Sequence, residues 1–323
     1  MNRRNTVLAL LALGVAAAPR IALAQARPVR IGVLGPRQHP IILPPILKRL
    51  AELGYVEGKN LIVDFRSADG VVERFPSLAR ELIQAKCDLI IALGTEHSAR
   101  ALLETKAGVP VVIVAITYDP VKAGIVPSLR RPGGNVTGVS LSAPEAAAKR
   151  LEILREIVPN AKRLFVLVDS HSEPQLEAVR EAAQKLRVEI VVETLAALPY
   201  DFESAFAKGR AAGIEAVSVL DSPVFLDQRT KIAELAVKHR MVSVSAHVFF
   251  AEAGLLISYG ANLAKTFARA GDIAASILKG AKPGDIPVEQ PTEFELIVNL
   301  KTAKALGISI PPSITLRADR MIQ

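Results

Sequence analysis

Two successive series of short apolar runs, separated by amphipathic segments, predict an α/β protein of two lobes with mainly parallel sheets. Three observations carry this reading. Runs rich in Val, Ile and Leu fall at 29–34, 60–65, 88–93, 110–115 and 135–140, and again at 163–168, 188–193, 215–220, 241–245 and 254–258. The segments between them repeat apolar residues at three- and four-residue spacing, the period of a helix with one buried face. The stretch "SLRRPGGNVTGVSLSAPE", rich in Gly, Pro and Ser, lies where the first series ends near Ser140 and before the second begins near Arg163. Strands alternating with helices of this length make βαβ units, and near-continuous apolar strands are those covered on both faces. Ten such strands are too many for one ordinary lobe and natural for two.

The elements follow in order. "PPILKRLAEL" opens on two prolines, which suit a first helical turn, and Gly54 ends it. "RFPSLARELI" puts Phe75, Leu78, Ala79, Leu82 and Ile83 on one face. "PEAAAKRLEILREIVP" does the same with Ala147, Leu151, Leu154 and Val158; Pro144 fits its first turn and Pro159 stops it. After "GLLISYG" come the helix "LAKTFARAGDIAASILKG" and then "IPVEQPTEFELIVNLKTAKAL", which a sheet closed on 163–258 does not need. The chain is therefore expected to cross back. Lobe 1 spans 27–140 and is completed by about 261–290; lobe 2 spans 141–260, and 291–323 returns across the hinge to a lobe the pattern does not assign.

The first 26 residues, "MNRRNTVLALLALGVAAAPRIALAQA", have the form of a secretory signal peptide. Arg3 and Arg4 precede an apolar core, and small residues suited to cleavage follow at Ala22–Ala24 or Ala24–Ala26. The apolar run is short for a membrane span. Removing Arg3, Arg4 and Arg20, with no acid lost, takes the formal charge from +8 to +5. That surplus is spread over both halves without aromatic–basic interleaving, so no nucleic-acid partner is expected. The lone Cys87 excludes an intramolecular disulfide, so an exported chain must rest on its cores. A periplasmic location and a monomer are expected.

Ligands of open α/β sheets bind beyond the carboxyl ends of the strands. Those tips read "GPRQH" (35–39), "GTEH" (94–97) and "TYD" (117–119) in the first series, then "DSHS" (169–172), "DSP" (221–223), "SAH" (245–247) and "SYG" (258–260). The candidate ligand-binding residues are accordingly Pro36, Arg37, Gln38, Gly94, Thr95, Tyr118, Asp119, Ser170, Asp221, Ser222, Phe225, Ala246 and Tyr259. Gln38, Thr95, Asp119, Asp221 and Ser222 are expected to hydrogen-bond the ligand, with Tyr118 and Phe225 in apolar contact. An acidic residue in each lobe suits an amine, and Arg37 a carboxylate, so an amino acid or related zwitterion fits. Asp119 and Asp221 are equally explained as helix caps.

Other chemistries find less support. "GVLGPRQ" lacks the second glycine of a dinucleotide loop, and Pro36 removes an amide donor. No Walker lysine motif and no G-x-S-x-G elbow is present. His39, His97, His171 and His247 follow predicted strands but come from four separate loops, so loop or ligand hydrogen bonding is expected rather than a metal. No cofactor and no catalytic residue is expected; an exported α/β enzyme is the alternative, with a ligand sensor for a membrane receptor as a third reading.

The blocks "LAELGYVEGKNLIVDFR", "YDPVKAGIVPSLRRPGGNVTGVS" and "GAKPGDIPVEQPTEFELIVNLKTAKALGISIPPSITLRAD" resemble the ABC transporter substrate-binding protein family, in the branch that includes tryptophan- and tyrosine-uptake binding proteins. The resemblance spans essentially all of the chain after residue 26. It implies a type I periplasmic-binding-protein fold: two Rossmann-like lobes joined by crossing strands, with the ligand cleft between them. It implies no catalysis, and delivery of a small molecule to a membrane permease and its ATPase. Gly94-Thr95, Tyr118-Asp119 and Asp221-Ser222 match the family's ligand loops. Members closest to the aromatic-amino-acid binders show Asp-Asn where this chain has "LDSPVFL", and a different first loop, which points away from an aromatic ligand.

Overall fold

The computed structural model describes residues 27–38, 41–141 and 144–323. The expected leader and His39 lie outside the described residues. In chain order the first lobe contains β1 (Val29–Gly35), α1 (Leu43–Glu52), β2 (Leu61–Ser67), α2 (Phe75–Gln84), β3 (Leu89–Gly94), α3 (Glu96–Glu104), β4 (Val111–Ala115) and β5 (Val136–Ser140). The second contains α4 (Pro144–Ile157), β6 (Arg163–Val168), α5 (Leu176–Leu186), β7 (Glu189–Thr194), α6 (Phe202–Ala211), β8 (Ala216–Val219), α7 (Pro223–Asp227), α8 (Arg229–Lys238), β9 (Val242–Ser245), α9 (Val248–Ala253) and β10 (Ile257–Ala261). The chain ends with α10 (Leu263–Leu278), β11 (Phe294–Asn299), α11 (Leu300–Leu306), α12 (Pro312–Thr315) and β12 (Arg320–Ile322).

The first sheet has five parallel strands in the order β2-β1-β3-β4-β5. Its two faces carry separate apolar clusters, one under α2 and α3 and one under α1 and α10. Helix α10 thus returns to the first lobe, with Phe267, Ala270, Ile273 and Ala274 packed against Ile46, Leu50 and the strands. Gly271 allows the two helices to approach, since a Cβ there would stand 3.0 Å from the Ile46 carbonyl oxygen. Asp272 then meets Arg49 at 2.7 Å.

The second sheet has seven strands, β12-β11-β10-β9-β8-β6-β7. The segment whose lobe the sequence pattern left open joins this sheet. β11 pairs antiparallel with β10 in an otherwise parallel array, and β12 pairs parallel with β11. The chain passes between lobes after β5, between β10 and α10, and again before β11, where Glu289 still bridges Val139 of the first sheet. Three passages close together make a hinge at the carboxyl ends of β5 and β10, beside the cleft. No helix of the described residues is long and apolar enough to cross a membrane. Cys87 is buried beside β1, and desolvation pushes its thiol up to about 11, so it is an inert core residue.

One glycine is needed at the sheet's edge. Gly138 in β5 has φ +148°, and a Cβ on it would lie 2.0 Å from the Ile113 carbonyl oxygen of β4. Gly138→Ala is expected to destabilise the protein by at least about 3 kcal/mol, because β4 and β5 must separate to admit the methyl group. Urea denaturation followed by circular dichroism measures this; an unchanged midpoint would contradict the close approach.

Candidate functional site

The carboxyl ends of both sheets face one cleft, and the chain builds its walls from strand tips and two helices. The cleft has two continuous halves. One is polar, lined by Thr117, Tyr118, Asp119, Arg150, Gln175, Asp221, Ala246 and His247, with Phe294 and Leu141 at its edge. The other is apolar, walled by Pro36, Ile42, Leu93, Leu226, Phe249, Phe250, Leu263 and Phe267, with Arg37, Gly94, Thr95 and Ser222 among them. Ile116, Thr117, Asp221 and His247 border both halves.

Asp221 follows β8, where the strand ends. Gln175 clamps its backbone from both sides: the Gln175 amide donates to the Asp221 carbonyl at 2.7 Å and accepts from the Asp221 N–H at 3.0 Å. The carboxylate is almost fully buried, and its Oδ1 has no hydrogen bond although His247 Nε2 stands 3.3 Å away. The contact is close in distance but poorly aimed, so it is an electrostatic neighbour and not a satisfied pair. Burial pushes the His247 imidazole below its ordinary value and the positive Arg150 adds to this, against the pull of Asp221. His247 is therefore mainly neutral at pH 7.

Arg150 projects from α4 deep into the polar half. One N–H donates to the Tyr259 carbonyl at 3.1 Å. Among the described residues no carboxylate lies within ion-pair distance of it, though it feels the field of Asp221. Desolvation lowers its pKa from the ordinary value, yet a guanidinium remains charged at neutral pH. Two opposite charges, one almost fully buried and one partly so, thus face one space without neutralising each other. Unpartnered buried atoms surround them: Tyr118 Oη, Thr95 Oγ1 and both ring nitrogens of His247. Burial also pushes the Tyr118 phenol well above its ordinary value.

Of the residues expected at the site, Pro36, Arg37, Gly94, Thr95, Tyr118, Asp119, Asp221, Ser222 and Ala246 line the cleft. Four do not. Phe225 is fully buried in the second lobe's core, edge-on to Tyr200 and Phe202, because its place in α7 turns it beneath the sheet end. Ser170 is exposed, while its neighbour Asp169 turns inward. Gln38 is exposed and outside both halves. Tyr259 stacks on Phe294 at 5.9 Å and offers the cleft only the carbonyl that holds Arg150. Two cleft residues also have other duties. Asp119 Oδ1 accepts from the Val121 and Lys122 N–H groups, closing a turn. Arg37 pairs with Asp227 of the second lobe at 3.1 Å, so it is engaged and does not stand free for a carboxylate.

Arg37–Asp227 is one of several contacts across the mouth. Lys122 meets Glu177 at 3.0 Å, and His171 Nε2 lies 3.3 Å from the Gly70 carbonyl oxygen. His97 and His171 meet edge-on at 6.3 Å, and His97 stacks on Phe75. The lobes therefore touch around the cleft. Among the described residues, no group of three or more His, Cys, Asp or Glu side chains is placed to hold a metal.

Arg150 lies outside the strand-tip loops and so was not among the expected residues. Its signal is nevertheless present: it sits three residues after Ala147 and four before Leu154, on the apolar face of α4, where a charge must have a purpose. Phe249, Phe250 and Phe267 were hidden differently, since an aromatic on a helix reads first as core.

A cleft between two α/β lobes, with unpartnered polar atoms facing it from both, defines a two-lobe ligand-binding protein. The family model for ABC transporter substrate binding proteins matches residues 35–322. The chain belongs to this ABC transporter substrate-binding protein family. A tyrosine-binding protein of Clostridioides difficile is 30% identical over 289 residues, covering 86% of this chain and 81% of that protein. An ABC domain from Streptococcus pneumoniae solved in complex with L-Trp superposes with a TM-score of 0.81 at 28% identity, over 91% of this chain and 100% of that one. A ligand-free, open substrate-binding protein with adhesive properties from Clostridium difficile gives 0.66 at 26% identity, over 91% and 99%. These relatives are binding proteins, and the fold is the type I periplasmic-binding-protein fold with amino-acid-binding members.

Proposed function

We propose that this chain is the extracytoplasmic receptor of an ABC importer, and that it closes on an α-amino acid with a bulky apolar side chain. The observation that carries this reading is the pair of unneutralised charges, Arg150 and Asp221, beside an apolar half-cleft. Arg150 would take the α-carboxylate with its remaining donors, and Asp221 the ammonium through Oδ1. The side chain would fill the space walled by Leu93, Phe249, Phe250 and Phe267. A zwitterion supplies both missing partners at once, where a neutral sugar would leave both charges without a counter-charge. The relatives named for tyrosine and bound to L-Trp support a large aromatic side chain, against the direction in which the "LDSPVFL" loop pointed.

Export through the leader of residues 1–26, a monomeric state and hand-over to a permease and ATPase belong to this proposal. No catalytic step is part of it. A thermal-shift screen tests the ligand. Protein stripped of ligand by partial unfolding is heated with amino acids, nucleobases, sugars, organic acids and divalent metals. A saturable rise in Tm with bulky apolar amino acids is expected, since ligand at a hundred times Kd adds about 2.7 kcal/mol. A rise confined to sugars or to a metal would overturn the amino-acid assignment.

A further inference from the structure

Of the contacts that cross the mouth of the cleft, Arg37–Asp227 and Lys122–Glu177 are ion pairs, and another joins two imidazoles. Imidazoles are the side chains that ordinarily titrate between pH 5 and 8. His171 follows β6 and is 2% exposed. Its Nε2 stands 3.3 Å from the carbonyl oxygen of Gly70, in the loop after β2, and its Nδ1 has no partner. Its ring meets His97, at the start of α3, edge-on at 6.3 Å, and His97 stacks on the buried Phe75 at 6.2 Å. A row of three rings thus runs from the first lobe's core to the second lobe.

The row lies where closure moves the lobes most. The chain passes between the lobes at β5 and β10. By contrast β2, which leads to Gly70, is the far edge of the first sheet, and β6 lies next to β7, the far edge of the second. Rotation about the hinge separates these tips furthest.

The charges around the rings decide the sign. Burial lowers the His97 pKa from its ordinary value, the positive Arg100 and the His171 ring add to this, and Glu96 and Glu73 pull the other way. Glu96, Glu73 and Arg100 sit in the first lobe and stay beside His97 when the lobes part. Asp169 and Glu173, which flank His171 in the chain, likewise stay with His171. In the loop that carries Gly70, Asp69 and Arg74 pair with each other, and Arg37 stands beside that loop, itself answered by Asp227. What changes on opening is therefore the burial of the two rings and their approach to each other. Both disfavour the cation in the closed form alone. The Nε2 contact to Gly70 is open to a neutral ring as well, so it holds the lobes without a proton on Nδ1.

We propose that His97 and His171 form an acid-sensitive latch, which holds the cleft mouth shut while the rings are neutral and opens it as they take up protons. The inference rests on the reading of this chain as a receptor that closes on its ligand. Acid favours the open form because that form binds the proton more readily, and the ligand is then released.

Titration calorimetry of the stripped protein with L-tryptophan at pH 7.5 and pH 5.5 tests this in the wild type, His97→Phe and His171→Gln. The first variant keeps a ring on Phe75, and the second keeps a donor for Gly70. Wild-type affinity should fall about tenfold at the lower pH, as for one imidazole of ordinary pKa near 6.5 that is protonated only in the open form. Each variant should lose less than about threefold. An equal fall in all three assigns the pH response to another group, such as His247, and overturns the latch. An unchanged wild-type affinity overturns it as well. Dyes on Lys59→Cys and Gln184→Cys, exposed positions in opposite lobes, read the interlobe distance by energy transfer without added ligand. The distance should lengthen at pH 5.5 in the wild-type background and not with His97→Phe. If L-tryptophan binds at neither pH, the amino-acid reading fails and this distance decides the latch: lengthening that needs His97 supports it, and a constant distance overturns it.

Discussion

Arg150→Met is expected to lower affinity for L-tyrosine or L-tryptophan by about thirtyfold or more while leaving the unliganded protein as stable as before, or more so. The physical basis is the position of Arg150. Its guanidinium is partly desolvated in the cleft, holds one carbonyl, and has no carboxylate within ion-pair distance among the described residues. A charge buried without its counter-ion weighs against folding, and replacing it by an apolar chain of similar length relieves that burden. The ligand's α-carboxylate would be the missing counter-ion. Losing one partner of such a desolvated pair costs about 2–5 kcal/mol of binding. Thermal denaturation with and without the amino acid reads both effects at once. A variant that loses stability yet keeps its ligand-induced rise in Tm would show that Arg150 is structural.

Asp169→Ala is expected to act in the opposite sense, destabilising the second lobe by about 3–5 kcal/mol. Asp169 is fully buried and is the meeting point of three loops. Its Oδ1 accepts from the backbone N–H groups of His171 at 3.1 Å and Ser172 at 2.9 Å and from Ser172 Oγ at 2.9 Å. Its Oδ2 accepts from Ser222 and from Tyr200 Oη at 3.3 Å. Removing the carboxylate leaves the His171 N–H and the Ser222 and Tyr200 hydroxyls without this acceptor, and leaves Ser172 only the Asp169 backbone carbonyl. Two of the loops so held reach the ligand cleft and its mouth, through Ser222 and through His171 against Gly70. Affinity should therefore fall together with the urea midpoint, and Asp169→Asn, which keeps one acceptor, should fall between. An Ala variant with an unchanged midpoint would remove Asp169 as the hub of this end of the lobe.

The two lobes were legible because parallel strands covered on both faces must be apolar along their length. Nine of the ten runs read from the sequence fall on β1 to β9 to within two residues and the tenth, 254–258, ends inside β10, which begins three residues later; prolines, Gly54 and apolar spacing marked α1, α2 and α4. The same reasoning placed Gly94, Thr95, Tyr118, Asp119, Asp221 and Ser222 at strand ends, where an open sheet exposes its ligand face. Arg150, a charge in the apolar register of α4, was not among the residues read from the sequence.

Tertiary packing decided the rest, because it depends on residues far apart in the chain. β11 is a short run like any other, and only its antiparallel pairing with β10 assigns the last segment to the second sheet. Whether a loop residue faces ligand or core is settled by one turn of backbone: Asp169 points in and Ser170 out, and Ser222 lines the cleft while Phe225 is sealed beneath it. Charge alone could not tell that Arg37 is answered by Asp227 from the other lobe while Arg150 is unanswered. Hydrophobic period is a property of neighbours in sequence and survives in one dimension. The pairing of polar groups is a property of neighbours in space and appears only when the lobes meet.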